Sequence, residues 1–565
     1  MKKEGVNSMS DYQSCIDFKK VGANIDKEHS VFNLIFLVEL FFVFQPAEIL
    51  KKINNINKHS KYTLKELMTF VLWGRENNKL SSRELADWCS NNDETCKLVL
   101  NSKKPSKSTI NNFLKDYTFI FDLFDQFLID LAMALGLIDG EILYGDGTIL
   151  KAWCNTFKTM YPYEIKYLKK FLTSNSSNEE LWSKLKRYYI NDEDDEKLND
   201  ELSSLINEFN YNLNSNGIHL LKLGLQSSNN FNKVLERIKQ MEENIVGENS
   251  VSIIDPESRH MVDKNGNMGL NYNYQTVTDN KYGLRITHYI TNNSNDENEL
   301  YKMANITAQH LHKDNFILCV DNGYWNPELF KKVYKTNTSI IIPDQADAIR
   351  KKKKIQNKNR SGKRQSIIDS KKKNKNNKPK RIKKHEFKYD GKNDTFECPK
   401  TKKLLKVVSI VQINGKKKKK YSCDYCPKCE FKPECTSQHK RVFYEYYDKD
   451  IEAIRQLYYS DKGQDIYSKR GHYAETSFAI LLESRNFRGL KTKGLKNTNN
   501  ELTIWEIHHN IKKFQKHTTN KFLKLICNLA KKQLKTEKTI DLSFIKKFQE
   551  KLIINKDVIK GIRDE

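Results

Sequence analysis

ILYGDGTILKAWCN, residues 142–155, is the stretch from which the rest of the chain is read. An apolar run stops at Asp146, which stands between Gly145 and Gly147 with Thr148 and Lys151 close behind. Physically this is a short strand that delivers a carboxylate to its own end, where glycines admit another backbone or a ligand. A strand ending in Asp-Gly also makes an ordinary turn. The acid therefore matters only if other carboxylates arrive beside it.

The composition bounds what those carboxylates could serve. The chain has 565 residues, 38% hydrophobic and 30% charged, enough apolar content for a substantial core and roughly two to four domains. Lys+Arg total 98 against 71 Asp+Glu, a net charge of +27. The lysines cluster, which points to a polyanionic partner rather than to a uniformly basic surface. The opening MKKEGVNSMSDYQS has charge but no apolar segment after it, so no export signal is expected and the cytoplasm is the expected compartment. VFNLIFLVELFFVF (31–44) is too short to span a bilayer and carries Asn33 and Glu39, so it reads as a buried helix, with no membrane partner. Of 11 cysteines, five fall between Cys398 and Cys435, a pattern that favours thiols and metal ligation over disulfides.

Taken in order, residues 1–30 form a flexible N-terminus and 31–135 a helical domain. Within it Ser81 or Ser82 is a candidate cap for the helix of LSSRELADWCSNN, and KKPSKSTINNFLKDY (103–117) starts a second helix. The pair fits a helix-turn-helix offering Lys107, Ser108 and Asn111 to DNA, and equally a plain helical bundle. Residues 136–345 read as the first part of an α/β core, interrupted at 156–245 by a charged helical insertion without strand signal. The core continues with a hairpin (270–279 and 284–292), a helix (296–313), and NFILCVDNGYWN, where a second apolar strand stops on Asp321 before Gly323. TSIIIPD (338–344) adds another buried strand. Residues 346–448 hold a basic low-complexity run (350–385) and the cysteines. Residues 449–530 return to helix, and 531–565 form a helical tail. A hairpin within α/β alternation implies a mixed sheet with flanking helices.

The third carboxylate is Glu475, in DIYSKRGHYAETSFAILLESRNFRGL, on one helical face with Phe478, Ala479 and Leu482. An acid on an apolar face is costly unless paired or metal-bound. Two strand-end aspartates and a helical glutamate suit a pair of Mg²⁺ ions about 4 Å apart, as in phosphodiester chemistry.

These landmarks, with SSRELADWC, KSTINNFL, DPE at 255–257, NYNYQ at 271–275, CDYCPKCEFKPEC and FRGL, resemble the DDE transposases of insertion sequences from about residue 60 to 520. The resemblance implies a ribonuclease H-like core preceded by an all-α domain, with Asp146, Asp321 and Glu475 as catalytic triad and ligands of two Mg²⁺ or Mn²⁺ ions. It also implies cleavage of double-stranded DNA at terminal inverted repeats, strand transfer by the freed 3′-OH, and two subunits in a synaptic complex at the nucleoid. The alternatives are a ribonuclease H-like endonuclease without strand transfer and a catalytically impaired DNA-binding relic. Tyr467 and Arg470 match the family's lead-in to the glutamate. Relatives carry a Lys seven residues after it, where this chain has Leu482, leaving Arg485 and Arg488 on the following turn to grip phosphates. Thr148, Lys151 and Asn322 are expected to position the site, with Lys151 also contacting DNA.

Cys398-Pro followed by Cys423-x2-Cys426-x2-Cys429-x5-Cys435 could present four thiolates to a structural Zn²⁺ or form a knuckle of reduced thiols. Asp255, Asp263, Asp279 and Asp344 are rival acids, read as turn or cap residues. His472, His508 and His509 are read as structural.

Overall fold

A computed structural model describes residues 25–26, 29–45, 61–174, 231–344, 382–481 and 489–534, with isolated positions 49, 200, 204, 217, 220 and 487. The expected flexible start (1–24), the acidic run 192–196, nearly all of the basic run 350–385, the tail beyond 534, and Leu482, Arg485 and Arg488 lie outside the described residues.

From 31 to 135 the described residues are helical: α1 (Val31–Phe44), α2 (Leu64–Glu76), α3 (Ser82–Ser90), α4 (Glu94–Leu100), α5 (Lys107–Asp116) and α6 (Thr118–Ala134). Local chemistry sets their starts. Thr63 with Glu66, and Ser81 with Glu84, form reciprocal capping boxes, and the Ser106 side chain accepts from the Thr109 amide. These helices share one apolar cluster with the sheet and the C-terminal helices, running from Val31 through Leu143, Val277 and Leu318 to Ala530. The 31–44 segment is buried as a helix. No helix among the described residues is long and apolar enough to cross a membrane.

The main sheet contains β1 (Ile142–Lys151), β4 (Arg259–Val262), β5 (Met268–Asp279), β6 (Arg285–Thr291), β7 (Ile317–Cys319) and β8 (Ser339–Ile341). Its order is β4-β5-β1-β7-β8, with β6 also paired to β5. β5 runs antiparallel to β1, β4 and β6, whereas β7 is parallel to β1 and β8 to β7. The chain is thus mixed α/β, as expected.

Alternation along β1 separates two faces. Leu143 joins the large cluster, and a side chain at Gly145 would strike Met303 of α9 (Leu300–Leu311). On the other face Tyr144 packs with Ile466 and Ala474, and Leu150 with Phe478 and Leu481. Helices α12 (Lys449–Tyr459), α13 (Asp461–Ser468) and the turn after them therefore cover the second face. Helix α15 (Leu495–His517) packs between α6 and β6.

Three expectations need correction. β1 does not stop at Asp146 but continues to Lys151, held by the antiparallel ladder with β5. The insertion 156–245 contains a strand, β2 (Thr159–Met160), paired with β3 (Val251–Ser252), beside helices α7 (Pro162–Ser174) and α8 (Phe231–Glu243). Most consequentially, the Cys-rich region builds a second sheet: β9 (Lys388–Asp390), β10 (Thr395–Glu397), β11 (Leu404–Ile413), β12 (Lys416–Ser422) and β13 (Val442–Tyr446), in the order β13-β12-β11-β10-β9. Its core is Ile382, Phe387, Phe396, Leu405, Tyr421, Cys435 and Phe443.

Candidate active site

The parallel pairing of β1 with β7 ends at Tyr144 opposite Cys319. Asp146 and Asp321 each lie two residues beyond that pair, which brings their carboxylates to the same edge. Asp321 has left the strand and caps the short turn Asn322–Tyr324, accepting from the Gly323 amide at 2.8 Å. Asp146 remains on the strand, its side chain only 13% exposed against 42% for Asp321.

Glu475 arrives from the covering face. Residues Gly471–Glu475 form a π-helical turn, followed by the α-helical Thr476–Ala479. The wider turn aligns positions five apart, so Glu475 stands over Arg470, and such single turns occur frequently at functional sites. The expected apolar-face position is corrected here. Ala474 is the buried residue and Glu475 is 67% exposed, with Phe478 anchoring the helix beneath.

Arg470 joins the three acids. Its Nη2 lies 2.9 Å from Asp146 Oδ1 and 3.6 Å from Asp321 Oδ2, and its Nη1 lies 3.5 Å from Glu475 Oε1. One guanidinium thus meets every carboxylate of the expected triad. Burial pushes the Asp146 carboxyl up to about 6 against the pull of Arg470, with Asp321 and Asp296 adding to the rise. Burial opposes the charge on Arg470, yet Asp146 and Asp321 hold its pKa above the ordinary value.

Sequence reading missed Asp296, a fourth carboxylate beside the site, half-buried. Its Oδ1 accepts from Asn273 Nδ2 at 2.8 Å and Gln275 Nε2 at 2.5 Å, and Gln275 is in turn held by the Tyr324 hydroxyl. A Cβ at Gly147 would sit 2.6 Å from Asp296 Oδ1, and one at Gly323 would sit 3.5 Å from Asp296 Oδ2 and 2.9 Å from Asp321 Oδ1. Both glycines are therefore required by close approach. The only sequence hint was NYNYQ, whose Asn273 and Gln275 share a face of β5 and anchor this acid.

The other expected residues are dispersed. Tyr467 packs edge-on against Tyr458 at 5.3 Å, next to Arg470, and burial pushes its hydroxyl up to about 12. Asn322 turns to Pro343, donating to its carbonyl at 3.0 Å. Thr148 Oγ1 is buried with no hydrogen-bond partner among the described residues. Lys151 is exposed at the end of β1, its carbonyl accepting from the Leu490 amide. Lys107, Ser108 and Asn111 are exposed on α5, whose Ile110 and Phe113 face the core. Asp255 accepts from the Tyr272 hydroxyl and the Gly494 amide, and Glu257 from the Leu495 amide, so the DPE segment clamps the start of α15. Asp344 pairs with Arg455, His508 with Glu76, and His509 with the Gly283 carbonyl.

Cys398, Cys423, Cys426, Cys429 and Cys435 line one cavity of about 20 Å³. Among the described residues no group of three or more His, Cys, Asp or Glu side chains is gathered closely enough to hold a metal ion. Around Arg470 the carboxylates embrace a guanidinium instead of one another. That guanidinium is a cation standing where hard oxygen donors converge, and in donor chemistry the set fits Mg²⁺ or Mn²⁺.

Residues 397–515 match a family model described as the transposase DDE domain, which supports an insertion-sequence DDE transposase. The match covers β11–β13 of the second sheet, Arg470 and Glu475, while Asp146 and Asp321 lie outside it. No curated protein and no solved structure matches the chain.

Proposed function

We propose that this chain is an insertion-sequence DDE transposase that cuts DNA at terminal inverted repeats and joins the freed 3′-OH to target DNA. The observation that carries the reading is the meeting of Asp146, Asp321 and Glu475 on the single guanidinium of Arg470. The strand order β6-β5-β1-β7-β8, with β5 antiparallel and β7 and β8 parallel to β1, supports a ribonuclease H-like core.

In this reading Asp146, Asp321 and Glu475 would hold two divalent cations, with Arg470 turned toward DNA phosphate. The bound ions supply activation of the attacking oxygen and stabilisation of the leaving one. Asp146, ionised and fixed on a rigid strand, orients the site, while the more exposed Glu475 is the acid best placed to adjust on loading. Arg470, with Lys151, Arg485 and Arg488, grips phosphates, and α5 offers Lys107, Ser108 and Asn111 to the duplex. Two subunits are expected to pair the element ends.

The cysteines form a second, structural centre in this reading. The five thiols line one cavity but are not drawn together as a four-coordinate site, so four of them would have to close in to hold a single Zn²⁺. Zinc analysis of the purified protein should give about one ion per chain, and zinc-free folded protein would remove this part.

A strand-transfer assay tests the main reading. A duplex carrying one element end with an exposed 3′-OH is incubated with supercoiled target and Mg²⁺. Joined products that disappear in Asp146→Asn are expected. Hydrolysis without joining would favour an endonuclease, and DNA left intact by wild-type protein would contradict both. Sedimentation of the protein with end DNA should show two chains per complex.

A further inference from the structure

The second sheet has a core side and a solvent side, and the solvent side has the chemistry of a nucleic-acid surface. Register fixes which residues share it, because directly opposed residues in antiparallel strands lie on one face. Tyr421 opposite Phe443 is the core side, and the same side carries Lys419 opposite Glu445. Lys419 is buried there between Asp394 (2.7 Å) and Glu452 (2.6 Å).

The alternate residues form the other side. Lys418 lies opposite Tyr446 and Val411, Lys420 opposite Tyr444 and Ser409, Lys416 opposite Ile413, and Lys406 opposite Ser422. Four lysines and two tyrosines therefore share one face across β11–β13, and no acid of these three strands stands among them. Tyr444 and Tyr446 are 43% and 40% exposed. None of the four lysines has an ion-pair partner among the described residues, in contrast to Lys419. Lys416, Lys418 and Lys420 repeat about every 6.8 Å along the strand, roughly the rise of two nucleotide steps of a DNA strand. A run of lysines alone would be an ordinary solvated face. Exposed aromatic rings interleaved with the cations are what distinguish a platform for unpaired bases.

The geometry points to this face as a binding site for a single strand of DNA, with Lys406, Lys416, Lys418 and Lys420 on the phosphates and bases stacked on Tyr444 and Tyr446. Only the choice of DNA as the natural nucleic acid rests on the transposase reading. The face belongs to a sheet that leads through β13 directly into α12, and thence to Arg470 and Glu475.

Fluorescence anisotropy with a labelled oligothymidylate, and with a duplex of equal length, tests this on the full chain. Tyr444→Ala/Tyr446→Ala is expected to weaken single-strand binding about tenfold or more and duplex binding by less than about twofold. Lys416→Glu/Lys418→Glu/Lys420→Glu should weaken both and reduce the single-strand salt slope by about 2. Lys417→Glu, on the opposite face, controls for charge and should do far less. Unchanged oligothymidylate binding in the tyrosine variant, equal weakening of both probes by it, or an equal effect of Lys417→Glu overturns the proposal. Loss of binding in the face variants with no joining activity in wild type would sustain this site and remove the transposase reading. The reverse pattern would do the opposite.

Discussion

Asp146 on β1 and Asp321 just beyond the end of the neighbouring parallel β7 each lie two residues past the Tyr144–Cys319 pair that ends the β1–β7 ladder. That relationship explains how acids 175 positions apart (321 − 146) come together despite the intervening insertion. The parallel ladder sets their approach, and the turn that Asp321 caps fixes its carboxylate. Arg470 then separates them electrostatically, at 2.9 Å from one and 3.6 Å from the other.

Arg470 is thus expected to stabilise the metal-free protein. Arg470→Gln should lower stability by about 1.5–3 kcal/mol in chelator, since hydrogen bonds to buried charges are worth that much. Denaturant melts with Mn²⁺ should show the variant recovering more stability than wild type gains. An identical deficit with and without Mn²⁺ would mean that the guanidinium does not stand in for a cation.

Gly147 leaves room for Asp296 and Gln275. Gly147→Ala places a methyl group 2.5 Å from Gln275 Nε2 and 2.6 Å from Asp296 Oδ1. An overpacking loss of about 1–3 kcal/mol is expected, together with lost DNA cleavage. Gly136→Ala is a comparison in which the added Cβ meets nothing within 4 Å, though its φ of +64° adds backbone strain. Comparable stability with active Gly147→Ala protein would refute the close-approach role.

Asp296→Asn keeps an oxygen acceptor for Asn273 and Gln275 but removes the charge. Thermal stability should stay near that of wild type, while Mn²⁺ affinity falls roughly tenfold or more, as for groups supporting metal ligands. Unaltered affinity would make Asp296 a purely structural acid.

His509 predicts an acid limb of stability. Its ring is half-buried with Nε2 against the Gly283 carbonyl, and burial lowers its pKa from 6.5 to about 4, with Arg285 and Lys513 opposing its protonation and Glu506 favouring it. The unfolded chain then binds a proton that the folded one refuses, so stability falls as pH drops from about 6.5 to 4. At 1.36 kcal/mol per pKa unit the maximum loss is about 3 kcal/mol. His509→Gln should flatten that part of the profile, and an unchanged profile would assign the limb elsewhere.

The two aspartates were legible because each ends an apolar run beside glycine, and the hairpin because it alternates. The second sheet was not read because six lysines in Lys416–Lys420 and Lys406 masked its pattern. Asn414-Gly415 between two extended runs was nevertheless a strong hairpin signal. Asp296 lies in the polar stretch TNNSNDENE, where no periodicity marks it, and only its tertiary partners on β5 identify it. The π-helical turn was equally hidden. Arg470 and Glu475 are five apart, a spacing that an α-helix does not align but the wider turn does.

The most direct measurement is Mn²⁺ binding to the protein complexed with element-end DNA, followed by electron paramagnetic resonance in wild type and in Asp146→Asn, Asp321→Asn and Glu475→Gln. Convergence of the three carboxylates requires two ions in wild type, with weakened or lost binding in each variant. Wild-type stoichiometry and affinity in all three variants would show that these acids do not form one metal site.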